Sequence, residues 1–241
     1  MRFSIRPRRL ALVCTVVLAA SASNANAVLR TVFSYSTSGG MPILEVNGST
    51  RVTAATSGWF DQFGFHDGGN RNYVVGVCGD FDTCVSTTDV VYRDFFGFNL
   101  SGASPHATSA SLLIWNPGRA IDGFDGYGSI FASETFQLKE VHTALSLLNM
   151  SQFHGVGVFE DLGSGTVYGQ VVVSAADNGT WVRVPLNAAA LDAINGAAGG
   201  SIAFGGSLLG VGPVSSVPEP QTLVLLVGGL GWLAWRVRRA G

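Results

Sequence analysis

The hydrophobic and polar positions of this chain form short runs that are typical of β-strands. Runs rich in β-branched and aromatic residues are separated by clusters of Gly, Asn, Asp and Ser. This spacing predicts an all-β fold, a jelly-roll-like β-sandwich with one or two short helices. The predicted strands are residues 31–36, 73–78, 94–100, 109–115, 134–141, 156–159, 167–175, 180–186 and 201–205.

The clearest local pattern is a predicted hairpin around Asn178 and Gly179, because Asn-Gly readily supplies the positive φ angles of a tight turn. In its second strand Val182 and Val184 alternate with Arg183, so we expect one buried face and one wet face. Pro185 cannot donate a ladder hydrogen bond, which places this strand at a sheet edge or near its own end.

Two short helices are predicted between the strands. They cover residues 142–148 and 188–194, where apolar residues recur three positions apart. Asn187 is the predicted N-cap of the second helix, and Gly196 is its predicted stop.

The first 27 residues have the order of a secretory signal peptide. A basic start at residues 1–9 is followed by a mostly apolar stretch at 10–22 and by small residues, including Ala25 and Ala27, around a cleavable bond. A retained N-terminal anchor is the alternative, but the stretch is short for a bilayer core that needs about 20 apolar residues. We expect the secretion machinery to cleave after Ala27.

The last 25 residues form a second targeting segment, which a Gly/Ser-rich linker at 205–216 joins to a passenger domain at 28–204. Arginines just beyond an apolar helix stay on the cytoplasmic side, so the passenger is expected to face the periplasm. The parts of residues 217–241 are the motif Val217, Pro218, Glu219 and Pro220, the apolar membrane helix 221–235, and the basic tail 236–241 with Arg236, Arg238 and Arg239.

This order of motif, helix and basic tail resembles the PEP-CTERM sorting signal of Gram-negative bacteria. The resemblance implies an exosortase-type protease as a partner, a transient stay in the inner membrane, and then a place at the cell surface or in the extracellular polysaccharide matrix. A permanently tail-anchored inner-membrane protein is the alternative.

The passenger also looks like domains often carried by PEP-CTERM proteins, through residues 94–98, 109–114, 134–136 and 161–169. That likeness implies a β-sandwich distantly similar to carbohydrate-binding jelly rolls. It supplies no catalytic residue to carry over.

Charge excludes nucleic acid as an expected partner. Residues 28–216 contain 7 basic and 15 acidic residues, a net charge of −8. Such a surface repels a phosphate backbone, which binding proteins meet with clustered Lys and Arg.

Two cysteines remain once the leader, which contains Cys14, is removed. Cys78 and Cys84 are separated by five residues in an exported chain, so we expect a disulfide, with a reduced pair as the alternative.

The sequence contains no catalytic constellation, and we expect a non-enzymatic structural or glycan-binding protein without a cofactor. Asp122 and Asp125 in a Gly-rich loop are candidate calcium ligands. Trp59 and Phe60, set among polar residues, are candidates for stacking on sugar rings.

The alternative is a secreted hydrolase acting on polysaccharide or peptide. Glu160 and Asp161 are adjacent carboxylates, but neighbours on a strand point to opposite faces.

Overall fold

The computed structural model describes residues 30–34, 40–78, 90–102, 106–118, 125–150 and 155–212. In this part of the chain twelve strands form two antiparallel sheets, and the helices are few and short, which confirms the all-β prediction. The strands are β1 (Arg30–Ser34), β2 (Ile43–Val46), β3 (Thr50–Thr53), β4 (Thr56–Asp61), β5 (Val75–Cys78), β6 (Val90–Asn99), β7 (Ala110–Asn116), β8 (Gly126–Ser129), β9 (Ser133–Glu140), β10 (Val167–Ser174), β11 (Thr180–Pro185) and β12 (Ser201–Leu208). The helices are α1 (Leu145–Leu148), α2 (Val156–Gly163) and α3 (Ala188–Gly196), with a 3₁₀ turn at Ala175–Asp177.

The larger sheet has the order β10-β9-β12-β6-β5-β1-β8, and β4 also pairs with β6. The smaller sheet has the order β11-β7-β2-β3. One hydrophobic cluster joins the inner faces of both sheets: the smaller sheet supplies Leu112 and Val184, and the larger one supplies Phe96, Phe136 and Phe204. This shared core fixes which face of the smaller sheet points outward.

The predicted hairpin around Asn178 and Gly179 is wrong. The strands on either side lie in different sheets, since β10 pairs with β9 and β11 pairs with β7. A tight type I′ turn needs positive φ at both central residues, but Asn178 has a φ of −63° and only Gly179 is positive, at 75°. Ser174 and Asp177 form a capping box in the 3₁₀ turn, which helps to carry the chain from one sheet to the other.

The side-chain pattern predicted for the second of these strands is confirmed. Val182 and Val184 are buried in β11, whereas Arg183 is exposed. β11 is an edge strand of the smaller sheet, and Pro185 is its last residue.

The helix predictions are partly right. Asn187 caps α3, because its side-chain oxygen accepts a hydrogen bond from the Ala190 N–H at 3.1 Å. The helix predicted at 142–148 is reduced to α1. Residues 156–159 were expected to form a strand but begin α2, in which Phe159 and Leu162, three apart, are buried.

The predicted linker begins too early, since β12 continues to Leu208. Close neighbours explain why this strand has glycine at two consecutive positions. A Cβ on Gly205 would lie 2.5 Å from the Leu162 carbonyl oxygen of α2, and one on Gly206 would lie 1.9 Å from an Asp94 carboxylate oxygen. They are close-packing positions. Residues 213–216 lie outside the described residues.

The predicted targeting segments also lie outside the described residues: the signal peptide, the motif at 217–220, the membrane helix at 221–235 and the basic tail. Within the described ranges, no helix has the length and apolar character needed to cross a membrane.

Candidate functional site

The face of the smaller sheet that points away from the core carries aromatic and charged side chains. Leu112, Ile114 and Val182 belong to the core, so the residues that alternate with them along β7 and β11 point outward. The strand register extends this alternation to β2 and β3. We call this surface the outer face, and its residues are Ile43, Glu45, Arg51, Thr53, Ser111, Leu113, Trp115, Trp181, Arg183 and Pro185.

A tryptophan pair occupies one end of the outer face. Trp115 and Trp181 are direct cross-strand partners, and their ring centroids lie 5.6 Å apart in an edge-to-face arrangement. Trp181 is 39% exposed, whereas Trp115 is half-buried. The pair therefore presents indole surface to solvent from a rigid sheet.

Two arginines of the outer face are held by one glutamate. Glu45 Oε1 accepts a hydrogen bond from Arg183 Nη1 at 2.7 Å, and Glu45 Oε2 accepts bonds from Arg51 Nε at 3.1 Å and Nη2 at 3.0 Å. The hydrogen bond from Arg183, followed by that from Arg51, lowers the pKa of Glu45. The carboxylate side chain is only 9% exposed, but those of Arg183 and Arg51 are 50% and 62% exposed.

The outer face is locally positive, although residues 28–216 carry a net charge of −8. Arg51 and Arg183 outnumber Glu45, the single acidic residue of β2, β3, β7 and β11. A guanidinium has five N–H donors, and within the described residues the bonds to Glu45 use one from Arg183 and two from Arg51. The remaining donors can serve a ligand.

This arrangement suits a molecule with one apolar and one polar aspect. A sugar ring has an apolar C–H face and polar hydroxyl groups at its rim. An exposed indole matches the first, and fixed N–H donors match the second.

The structure places Trp59 and Phe60 away from any such surface. They are 2% and 0% exposed, respectively. Trp59 packs edge-to-face on Tyr92, and the Phe60 ring stacks on His66 at 4.5 Å. Both rings are core residues because β4 is covered on both faces, so they are not available to stack on a sugar.

The carboxylates considered for hydrolysis have separate surroundings. Asp161 Oδ2 accepts hydrogen bonds from the backbone N–H groups of His142 and Thr143 and from the Thr143 hydroxyl, at 2.7 to 3.0 Å. It thus fixes the segment before α1. Glu160 is exposed on α2.

The remaining predicted site residues fall at the border of the described chain. Asp125 directly precedes β8, whereas Asp122 lies outside the described residues. Among the described residues no group of three or more His, Cys, Asp or Glu could hold a metal ion. Cys78 is buried at the end of β5, and Cys84 lies outside the described residues, so the disulfide stays a prediction.

Sequence reasoning found only part of the outer face. The alternation along β11 placed Arg183 in water, and the same pattern puts Trp181 beside it. Glu45 and Arg51 were missed, because they lie on β2 and β3, which had not been predicted. The sequence signal for this hairpin is Asn47-Gly48. Both residues have positive φ angles and form the turn between β2 and β3.

No model of a known protein family matches this chain, and no curated protein matches it either.

Proposed function

We propose that the passenger is a non-enzymatic, jelly-roll-like β-sandwich that binds polysaccharide on its outer face. The observation that carries the proposal is the Trp115–Trp181 pair, presented to solvent on the same face as Arg183 and Arg51, which Glu45 holds in place. The sheet backbone fixes all five side chains on one face, so little conformational entropy is lost when a ligand binds.

The proposal includes export and sorting. The signal peptide delivers the chain to the periplasm, and the PEP-CTERM-like segment holds it transiently in the inner membrane. An exosortase-type protease then releases the passenger to the cell surface or the extracellular polysaccharide. The support is the order of motif, apolar helix and arginine cluster in residues 217–241.

Affinity gel electrophoresis of the full-length chain through soluble polysaccharides tests the binding. At least one polymer retards the wild-type chain, and Trp181→Ala weakens retention roughly 2- to 10-fold through loss of the aromatic contact. Phe63→Ala is the matched control, since Phe63 is an exposed aromatic residue outside the outer face. It lies in the loop that follows β4 of the larger sheet. Equal retention of the wild type and the Trp181 variant overturns the proposal, as does a lack of retention by every polymer.

Intact mass of the protein from medium and membranes of its native host tests the sorting. We expect residues 1–27 to be missing, and the residues from near Pro218 onward to be missing from the released form. An uncut C-terminus confined to membranes contradicts the exosortase route and leaves a tail-anchored protein.

A further inference from the structure

We infer that the polysaccharide bound at the outer face is anionic, with sugar carboxylates that pair with Arg183 and Arg51. This inference rests on the proposed function and names its ligand class. The two arginines are the only charged residues of the outer face besides Glu45, so its net charge is +1.

The hydrogen bond from Arg183 to Glu45 leaves the Nε–Nη2 edge of the guanidinium available for a ligand. Arg183 bonds to Glu45 through Nη1 alone among the described residues, so its Nε and Nη2 donors remain. Those two parallel N–H groups form the edge that a carboxylate engages bidentately. Glu45 holds the guanidinium from one side and leaves that edge to a second anion.

Arg51 is fixed in a complementary way. Its Nε and Nη2 both donate to Glu45 Oε2, which leaves Nη1 with both its hydrogens and the second Nη2 hydrogen. Arg51 on β3 lies directly opposite Glu45 on β2, and Arg183 reaches Glu45 from β11. The two guanidinium groups therefore approach one carboxylate from the two edges of the sheet, on the same face. Charges presented from two sides suit a polymer that carries repeated carboxylates.

The tryptophan and the arginine are spaced for one ligand. Trp181 and Arg183 are two residues apart on β11, hence on the same face and about 7 Å apart along the strand. A sugar ring stacked on Trp181 therefore directs a ring substituent or the next sugar towards Arg183. The position next to Trp181 on that face is positive rather than neutral.

The rest of the passenger argues against an adventitious attraction. Residues 28–216 without the outer face carry a net charge of −9, which repels a polyanion. Arg93 lies 4.1 Å from the centre of the Phe159 ring and donates to the Phe159 carbonyl, so it is engaged with α2. An anionic polymer that binds this protein must find a local positive site, and the outer face supplies one.

The test compares polygalacturonate with its methyl ester, two polymers with one backbone that differ in charge. Affinity electrophoresis of the full-length chain is run with EDTA, which prevents calcium from cross-linking the acid form. We expect the acid form to bind at least roughly tenfold more tightly, as expected for charge-assisted hydrogen bonds. Equal affinity for the acid and the ester overturns the inference.

Variants locate the effect. Arg183→Gln and Arg51→Gln each reduce affinity for the acid roughly tenfold and change affinity for the ester less than about twofold. Arg71→Gln is the matched control, because Arg71 is an exposed arginine before β5 of the larger sheet. If Arg71→Gln reduces affinity for the acid form equally, the polymer is attracted by the overall charge of the protein and the inference is overturned. Arg183→Lys keeps the charge without the planar fork, so it is expected to lie between the wild type and Arg183→Gln.

The two proposals fail in different ways. If Trp181→Ala weakens binding to both polymers equally and the acid has no advantage, the outer face still binds polysaccharide and the anionic preference is wrong. If Trp181→Ala changes nothing, the proposed function itself is wrong. Thermal unfolding of each variant, followed by circular dichroism, confirms that the folded protein is compared in every case.

Discussion

Glu45 and Arg183 pair at 2.7 Å although their strands are not neighbours, since β7 lies between β2 and β11. Arg183 thus crosses the face of β7, and Glu45 also holds Arg51 on β3. One carboxylate ties together both edges of the smaller sheet and fixes the cations proposed to bind the ligand. Stability and the proposed binding therefore depend on the same residue.

Removal of the Glu45 charge is expected to change the acid sensitivity of the fold. The folded pKa of Glu45 lies below the ordinary value of 4.5, so its contribution is complete above pH 4.5 and is lost as the pH falls through the lowered pKa. Glu45→Gln should therefore lose less stability between pH 7 and pH 3 than the wild type, as measured by urea unfolding. Asp192→Asn, at an exposed site on α3, is the control. Identical pH profiles for the wild type and Glu45→Gln contradict the network.

Asp94 is expected to act in the opposite direction. Its carboxylate is fully buried beside Gly206 and makes no hydrogen bond with the described residues, and burial raises its pKa well above 3.8. The folded state holds the proton more tightly, so the contribution of Asp94 to stability is greatest below pH 3.8 and falls as the pH rises towards the raised pKa.

Asp94→Asn removes that dependence and should be more stable than the wild type at pH 8, by about 1–3 kcal/mol. Urea unfolding of both proteins at pH 4 and pH 8 measures the difference. A variant that is less stable than the wild type at pH 8 would show that the charged carboxylate has a partner.

Gly205 is expected not to tolerate a side chain. Gly205→Ala puts a Cβ 2.5 Å from the Leu162 carbonyl oxygen, so β12 and α2 must separate, at a cost of about 1–3 kcal/mol. Gly157→Ala makes the same change on α2 itself, where nothing lies within 4 Å of the added carbon. That variant should be neutral or more stable by up to about 1 kcal/mol. Equal thermal stability of the two variants contradicts the close packing of Gly205 against α2.

Loss of the α3 cap should be measurable. Asn187→Ala removes the acceptor for the Ala190 N–H and the donor to the Val167 carbonyl, and is expected to destabilise by about 0.5–2 kcal/mol. Asn187→Asp keeps the acceptor alone and should lose less. If Asp and Ala are equally damaging in urea unfolding, the cap contributes nothing.

Strand bounds could be predicted best where a long run of β-type residues ends at turn residues. β7 and β9 were placed to within a residue, because long β-type runs end at turn residues. The pairing of β10 and β11 could not be read locally, since both flank an Asn-Gly but belong to different sheets. In α2, the β-branched Val156 and Val158 favoured a strand, and the burial of Phe159 and Leu162 against the larger sheet overrode that preference.

The outer face shows the same limit. Arg183 and Trp181 follow from alternation along one strand, whereas the Glu45–Arg51 pair depends on a hairpin whose strands have only four residues each. Their meeting with Arg183 is set by the order β11-β7-β2-β3, which depends on contacts distant in sequence. Residue types alone favoured Trp59 and Phe60, but burial on both faces of β4 makes them core.

The most direct test is an NMR titration of the full-length chain, labelled with ¹⁵N at its tryptophan indoles, with the polysaccharide that retards it most strongly. Trp115→Phe and Trp181→Phe assign the two outer-face signals, and the buried Trp59 is an internal control. We expect the Trp115 and Trp181 signals to shift in a saturable way while that of Trp59 stays in place. Saturable binding that leaves both signals unmoved would show that the polysaccharide binds elsewhere than on the outer face.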